Sequence, residues 1–124
     1  EQFEGTVISR YSGAWTLIAN SSKGWLPVGF VFAFYSHKEP ALSPFMIIGD
    51  MIWCPWATPR NKIESAVNFF NAVRKDIPMM DYAHGEENRK FFDLMAKHGV
   101  MQRVGTTFNV VKGEPVAIFE TRAK

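Results

Sequence analysis

The sequence predicts an α/β (α+β) domain, a mixed sheet with helices on its faces, and three observations lead there. Two stretches place apolar residues at helical spacing behind start signals, at Thr58-Pro59 and near Gly85. The remaining apolar runs are β-favouring and bounded by turn residues. Along the chain the order is β-β-β-α-β-α-β-β, so two helices bracket a short strand and a terminal hairpin closes the domain.

The first strand is expected over 15–19, with 7–11 as an added edge strand joined through a Ser12-Gly13 turn. The run 28–35 is nearly all apolar, broken only by Gly29, and 45–56 is longer still. Between them 36–44 is polar and carries Pro40 and Pro44, which makes it a loop. The first helix has a capping hydroxyl at Thr58 and proline at its first position. Ile63, Ala66, Val67, Phe70 and Val73 then fall on one face, and Asp76 and Pro78 bracket the end. A short strand over 79–83 follows. The second helix carries Glu86 and Glu87 in its first turn, where negative charge suits the dipole. It presents Phe91, Leu94, Met95 and His98 on one face and stops at Gly99. Runs over 102–111 and 116–121 are joined by the hairpin loop Lys112-Gly113-Glu114-Pro115. The step from 45–56 through the first helix to 79–83 should be a parallel, right-handed crossover.

With 124 residues, 47% hydrophobic and 15% aromatic, the chain has material for one core and no room for two domains. A net charge of +2 without a run of like charges advertises no nucleic-acid face. The lone Cys54 excludes an intramolecular disulfide, which fits a reducing compartment. No apolar stretch approaches the roughly 18–20 residues that span a bilayer. Glu1 rather than Met stands first and no leader pattern follows, as in a piece trimmed from a longer chain.

The element order, and above all the second helix, resembles the GNAT superfamily of acyl-CoA N-acyltransferases. In the helix running from Asn88-Arg89-Lys90-Phe91 to Gly99-Val100, the residues Asn88, Leu94, Lys97 and Gly99 match the family pattern, and Val100 stands in for its Phe. The resemblance covers 15–122. It implies a mixed, mostly antiparallel sheet with a splayed central parallel pair and two main helices, and it leaves no room for the family's leading strand and helices. The implied activity is transfer of an acyl group from acetyl-CoA or another acyl-CoA to a small-molecule or protein primary amine, in the cytoplasm, with a homodimer as an open option. A similar length and texture also resemble degenerate GNAT-like phage virion proteins, which implies a catalytically silent member with virion proteins as partners.

The resemblance places the coenzyme's pyrophosphate at the start of the first helix, where free amides and the positive dipole end attract anions. Here that start is Thr58-Pro59-Arg60-Asn61-Lys62, with Arg60 and Lys62 as cationic donors. An ordinary capped helix with a solvated basic turn reads the same way. The family's glycine positions hold Lys62 and Glu64, and Pro59 lacks an N–H. Asn88 matches a coenzyme-contacting position, and it also suits a local hydrogen bond near a helix start. Met95 replaces a family Tyr that protonates the leaving thiolate, and methionine cannot donate a proton.

Three groups can reach the cleft where central parallel strands end. Asp50, inside an apolar run, is either a solvent contact or a base drawing a proton from an amine through water. His84, at the carboxyl end of 79–83, is either a loop or N-cap residue or a second catalytic candidate. Tyr82 is a packing residue with a polar tip. His37, His84 and His98 lie too far apart in sequence for metal-ligand spacing. In Trp53-Cys54-Pro55-Trp56 the proline blocks one ladder bond, which predicts a bulge or splay there. The two Trp rings either border the coenzyme's arm, with nearby amides on the thioester oxygen, or plug the gap.

Overall fold

A computed structural model describes residues 12–35 and 45–121. The expected edge strand over 7–11 and the loop over 36–44, with His37, lie outside the described residues. The elements follow the expected order: β1 (Ser12–Ser21), β2 (Gly24–Tyr35), β3 (Met46–Trp53), α1 (Pro59–Val73), β4 (Met79–Ala83), α2 (Gly85–Lys97), β5 (Met101–Asn109) and β6 (Glu114–Thr121). They form one sheet in the order β1-β2-β3-β4-β6-β5, antiparallel throughout except for β3 against β4.

Several boundaries differ from expectation, each for a visible reason. Ser12 and Gly13 belong to β1, opposite Phe34 and Ala33, and do not form a turn. Gly13 serves packing instead, because the Trp15 ring occupies the space a Cβ would need. The first hairpin turns at Ser22-Lys23. There the Ser21 hydroxyl accepts from the Lys23 N–H at 3.2 Å and donates to the Gly24 carbonyl at 2.7 Å. β3 ends at Trp53, so Pro55 sits in the turn after the strand and interrupts no ladder. The bulge lies earlier in β3. Phe32 pairs with Asp50 and Ala33 with Ile48, which leaves Gly49 as the extra residue.

α1 begins as the sequence indicates. The Asn61 N–H donates to the Thr58 hydroxyl at 3.1 Å, and the Thr58 N–H donates to the Asn61 side-chain carbonyl at 3.2 Å. α2 ends at Gly99, whose φ of +77° is the left-handed conformation that favours glycine there. Its buried face is rotated from the expected one. Phe92 and Met95 are buried and Phe91 half-buried, whereas Leu94 and His98 are exposed. The turn is recruited toward Phe70 and Phe119, the rings that Phe92 meets at 6.3 and 5.7 Å.

Both helices pack on one face of the sheet. Leu17, Val31, Ala33, Met46, Met79 and Phe119 from the strands share a single core with Ala66 and Phe70 of α1 and Phe92 and Met95 of α2. On the other face Ile18, Phe30 and Ile52 are exposed. No helix among the described residues is long and apolar enough to cross a membrane.

Candidate functional site

Two parallel strands that belong to one sheet normally stay hydrogen-bonded along their shared length. β3 and β4 do not. They pair at Met46 with Met79 and at Ile47 with Met80, and then part. The opening falls one residue before the Gly49 bulge, which bends β3 and increases its twist. β4, meanwhile, keeps its antiparallel ladder to β6 through Ala83. The result is a cleft of about 710 Å³ between the strands, walled on the helix side by α2.

The cleft reaches both faces of the sheet, because its lining comes from both. Asp50 pairs with Phe32 and so shares the face away from the helices. Asp81 alternates with the core residues Met79 and Ala83 and so shares the helix face. Trp53 closes one end. Its ring lies over Gly29, where a Cβ would come within 2.6 Å of it, and meets Phe91 edge-on at 5.8 Å. The Lys62 ammonium, 6.0 Å from the Trp53 ring centroid, brings a cation from α1 to the same rim.

Of the residues singled out in the sequence, Asp50, Lys62, Tyr82, His84 and Asn88 all line this cleft. His84 is the N-cap of α2, but its side chain makes no capping bond. The Asn88 amide donates to the His84 carbonyl at 2.9 Å, the local bond expected of an Asn near a helix start. The other coenzyme candidates are not brought here. Trp56 stands outside the lining and its indole N–H donates to the Pro27 carbonyl at 2.8 Å. Thr58 and Asn61 are engaged in the capping box, and Arg60 donates to the Glu64 carboxylate at 2.8 Å.

Those bonds decide what the start of α1 can hold. Pro59 has no N–H, the Asn61 N–H is taken by Thr58, and a carboxylate sits beside Arg60. A pyrophosphate therefore does not fit that helix start. Two amides after β3 are likewise engaged: the Cys54 N–H donates to the Val28 carbonyl at 2.9 Å and the Ala57 N–H to the Cys54 carbonyl at 3.0 Å. Met95 lies fully inside the core, far from any role in proton transfer.

The most unusual group in the cleft is Asp81, which sequence reasoning passed over. It is only 8% exposed, and no hydrogen bond or ion pair to its carboxyl is found among the described residues. Burial alone pushes its pKa up to about 7. The signal was faint because in Met79-Met80-Asp81-Tyr82-Ala83 both alternating faces carry large apolar residues, so neither announces itself as the core side. Among the described residues no three His, Cys, Asp or Glu side chains gather as a metal site. Comparison with family models, with curated proteins and with solved structures finds no match for this chain.

Proposed function

We propose that the chain is a GNAT-like N-acyltransferase that moves an acyl group from an acyl thioester to a primary amine in the β3–β4 cleft. The observation that carries this reading is the partial pairing of two parallel strands, which leaves an opening lined by ionisable groups within one rigid sheet. An extended acyl-pantetheine arm fits between such strands, with Trp53 and Phe91 along it. Lys62 is the cation at the rim and Asn88 a polar contact on the α2 side. The bulge at Gly49 leaves a β3 backbone position outside the ladder, next to where the thioester would lie.

In that pose Asp50 or His84 takes a proton from the amine, directly or through one water. The amine nitrogen then attacks the thioester carbon, the carbon–sulfur bond breaks, and the thiolate leaves. With Met95 in the core, the thiolate takes its proton from water. Binding of the donor rests on the arm, because the start of α1 offers no pyrophosphate cradle.

That closed helix start favours a second reading, a catalytically silent GNAT-like protein with an interaction role, as in a phage particle. One experiment separates them. Thermal unfolding is followed with excess acetyl-CoA, and a donor at 100 times its dissociation constant should add about 2.7 kcal/mol and raise the melting temperature by several degrees. Lys62→Glu should abolish that shift and Asn88→Ala should weaken it. An unchanged melting temperature at millimolar acetyl-CoA, with cooperative unfolding, sinks the enzyme reading.

A further inference from the structure

We infer that Asp81 is an ammonium-binding site, taking the cationic head of an aliphatic amine inside the β3–β4 cleft with the Trp53 and Phe91 rings beside the amine's tail. The amine class rests on the acyl-acceptor reading above, whereas the site itself rests on the geometry of the cleft.

Asp81 is a largely buried residue, but its carboxyl oxygens are not among the fully buried polar atoms, so the little surface that it keeps includes the carboxyl. A carboxyl in so desolvated a place ordinarily has a hydrogen-bond or ion partner, because burying an unpaired polar group is costly. Asp81 has none among the described residues, yet it lines a cavity large enough for a small molecule. β4 presents it there because its neighbour β3 has already separated at Met80. The other ionisable groups around the cleft come from every adjoining element: Asp50 on β3, Lys62 on α1, Tyr82 on β4, and His84 and Glu87 on α2. Three carboxyls and one lysine thus border the cleft, with Asp50 on the opposite sheet face from Asp81, and this excess of acid favours a cationic guest. Lys62 is directed to the Trp53 ring and makes no ion pair with Asp81 among the described residues. The Trp53 and Phe91 rings, which line the same cleft and meet edge-on, suit an ammonium with an alkyl tail, through apolar contact and the attraction of a cation to an aromatic face.

The test uses the full chain with n-butylamine as the ligand and 1-butanol as its neutral counterpart. The Asp81 carboxyl carbon is followed by NMR through a pH titration. A bound ammonium should lower the Asp81 pKa by about one unit or more, as a nearby opposite charge does, and 1-butanol should leave it in place. Asp81→Asn should weaken butylamine binding by roughly tenfold or more, the scale of losing a charged partner in a desolvated site. Asp93→Asn, an exposed change of the same charge on α2, should not. An Asp81 titration unmoved by butylamine, or equal affinity in the wild type and Asp81→Asn, overturns the assignment. The wild-type titration decides even if the variant folds poorly. Butylamine binding without acetyl-CoA binding would keep this site and sink acyl transfer; acetyl-CoA binding with Asp81 indifferent to butylamine would do the reverse.

Discussion

Asp81 couples the cleft to the stability of the fold, and the direction follows from its proton. In the native state its pKa lies near 7, against an ordinary value of 3.8. Between those values the folded chain keeps a proton that the unfolded chain has released. Stability contributed by this group is therefore full at about pH 4, falls as the pH rises toward 7, and levels off above it. A gap of about three pH units at about 1.36 kcal/mol each makes the penalty on the order of 4 kcal/mol at pH 8. Asp81→Asn should accordingly be more stable than the wild type at pH 8, by up to that amount, and the advantage should vanish near pH 4. Urea midpoints at the two pH values check it; a gap that stays constant would show that the carboxyl is not the source. Lys62 and Asn88 entered as coenzyme contacts implied by the resemblance, and they also line the cleft. Asp50, His84 and Tyr82 were legible as groups able to reach it because they lie in or just after strand-like runs. Asp81 was not, because a five-residue strand with apolar side chains on both faces does not reveal which one is buried.

Two local arrangements hold the elements around the cleft. The first is the start of α1, where the reciprocal bonds of Thr58 and Asn61 satisfy two backbone donors. Thr58→Ala should cost about 1 kcal/mol, read as a lower melting temperature, since the cap contributes that much in comparable helices. Serine at the same position should restore most of it. The second is the β2–β3 pair, in which Gly29 faces Trp53. A methyl group at Gly29 would meet the Trp53 ring at 2.6 Å and the Ile52 carbonyl oxygen at 3.0 Å, and the latter belongs to the backbone and cannot swing away. Gly29→Ala should cost roughly 1–3 kcal/mol as overpacking does. It should also shift the Trp53 ring toward the cleft and weaken the binding of any ligand there. Unchanged stability and ligand binding in Gly29→Ala would show that the ring has somewhere else to go. The cap was readable from Thr58-Pro59, a local pattern. The glycine's partner was not, because Gly29 and Trp53 are brought together only by strand register.

Across the whole molecule, a line of rings from Trp15 through Phe69, Phe70 and Phe92 to Phe119 joins the outer strand β1 to both helices and to β6. Phe92 links Phe70 of α1 to Phe119 of β6 and also lines the cleft. Phe92→Ala should cost about 3–5 kcal/mol, the range for truncating a buried aromatic, and chemical denaturation would measure it. A loss under about 1 kcal/mol would mean that the two helices are not joined to the sheet through this ring. The sequence by itself determined the inventory: eight elements in order, the start of α1, the end of α2, and a parallel step between β3 and β4. Those follow from contacts between near neighbours and from side-chain periodicity, which a linear pattern records. Only the tertiary structure decided where the parallel pair opens, which face of α2 is buried, and that an aspartate is enclosed between the strands. Register, helix rotation and desolvation depend on residues far apart in the chain, so no local pattern carries them.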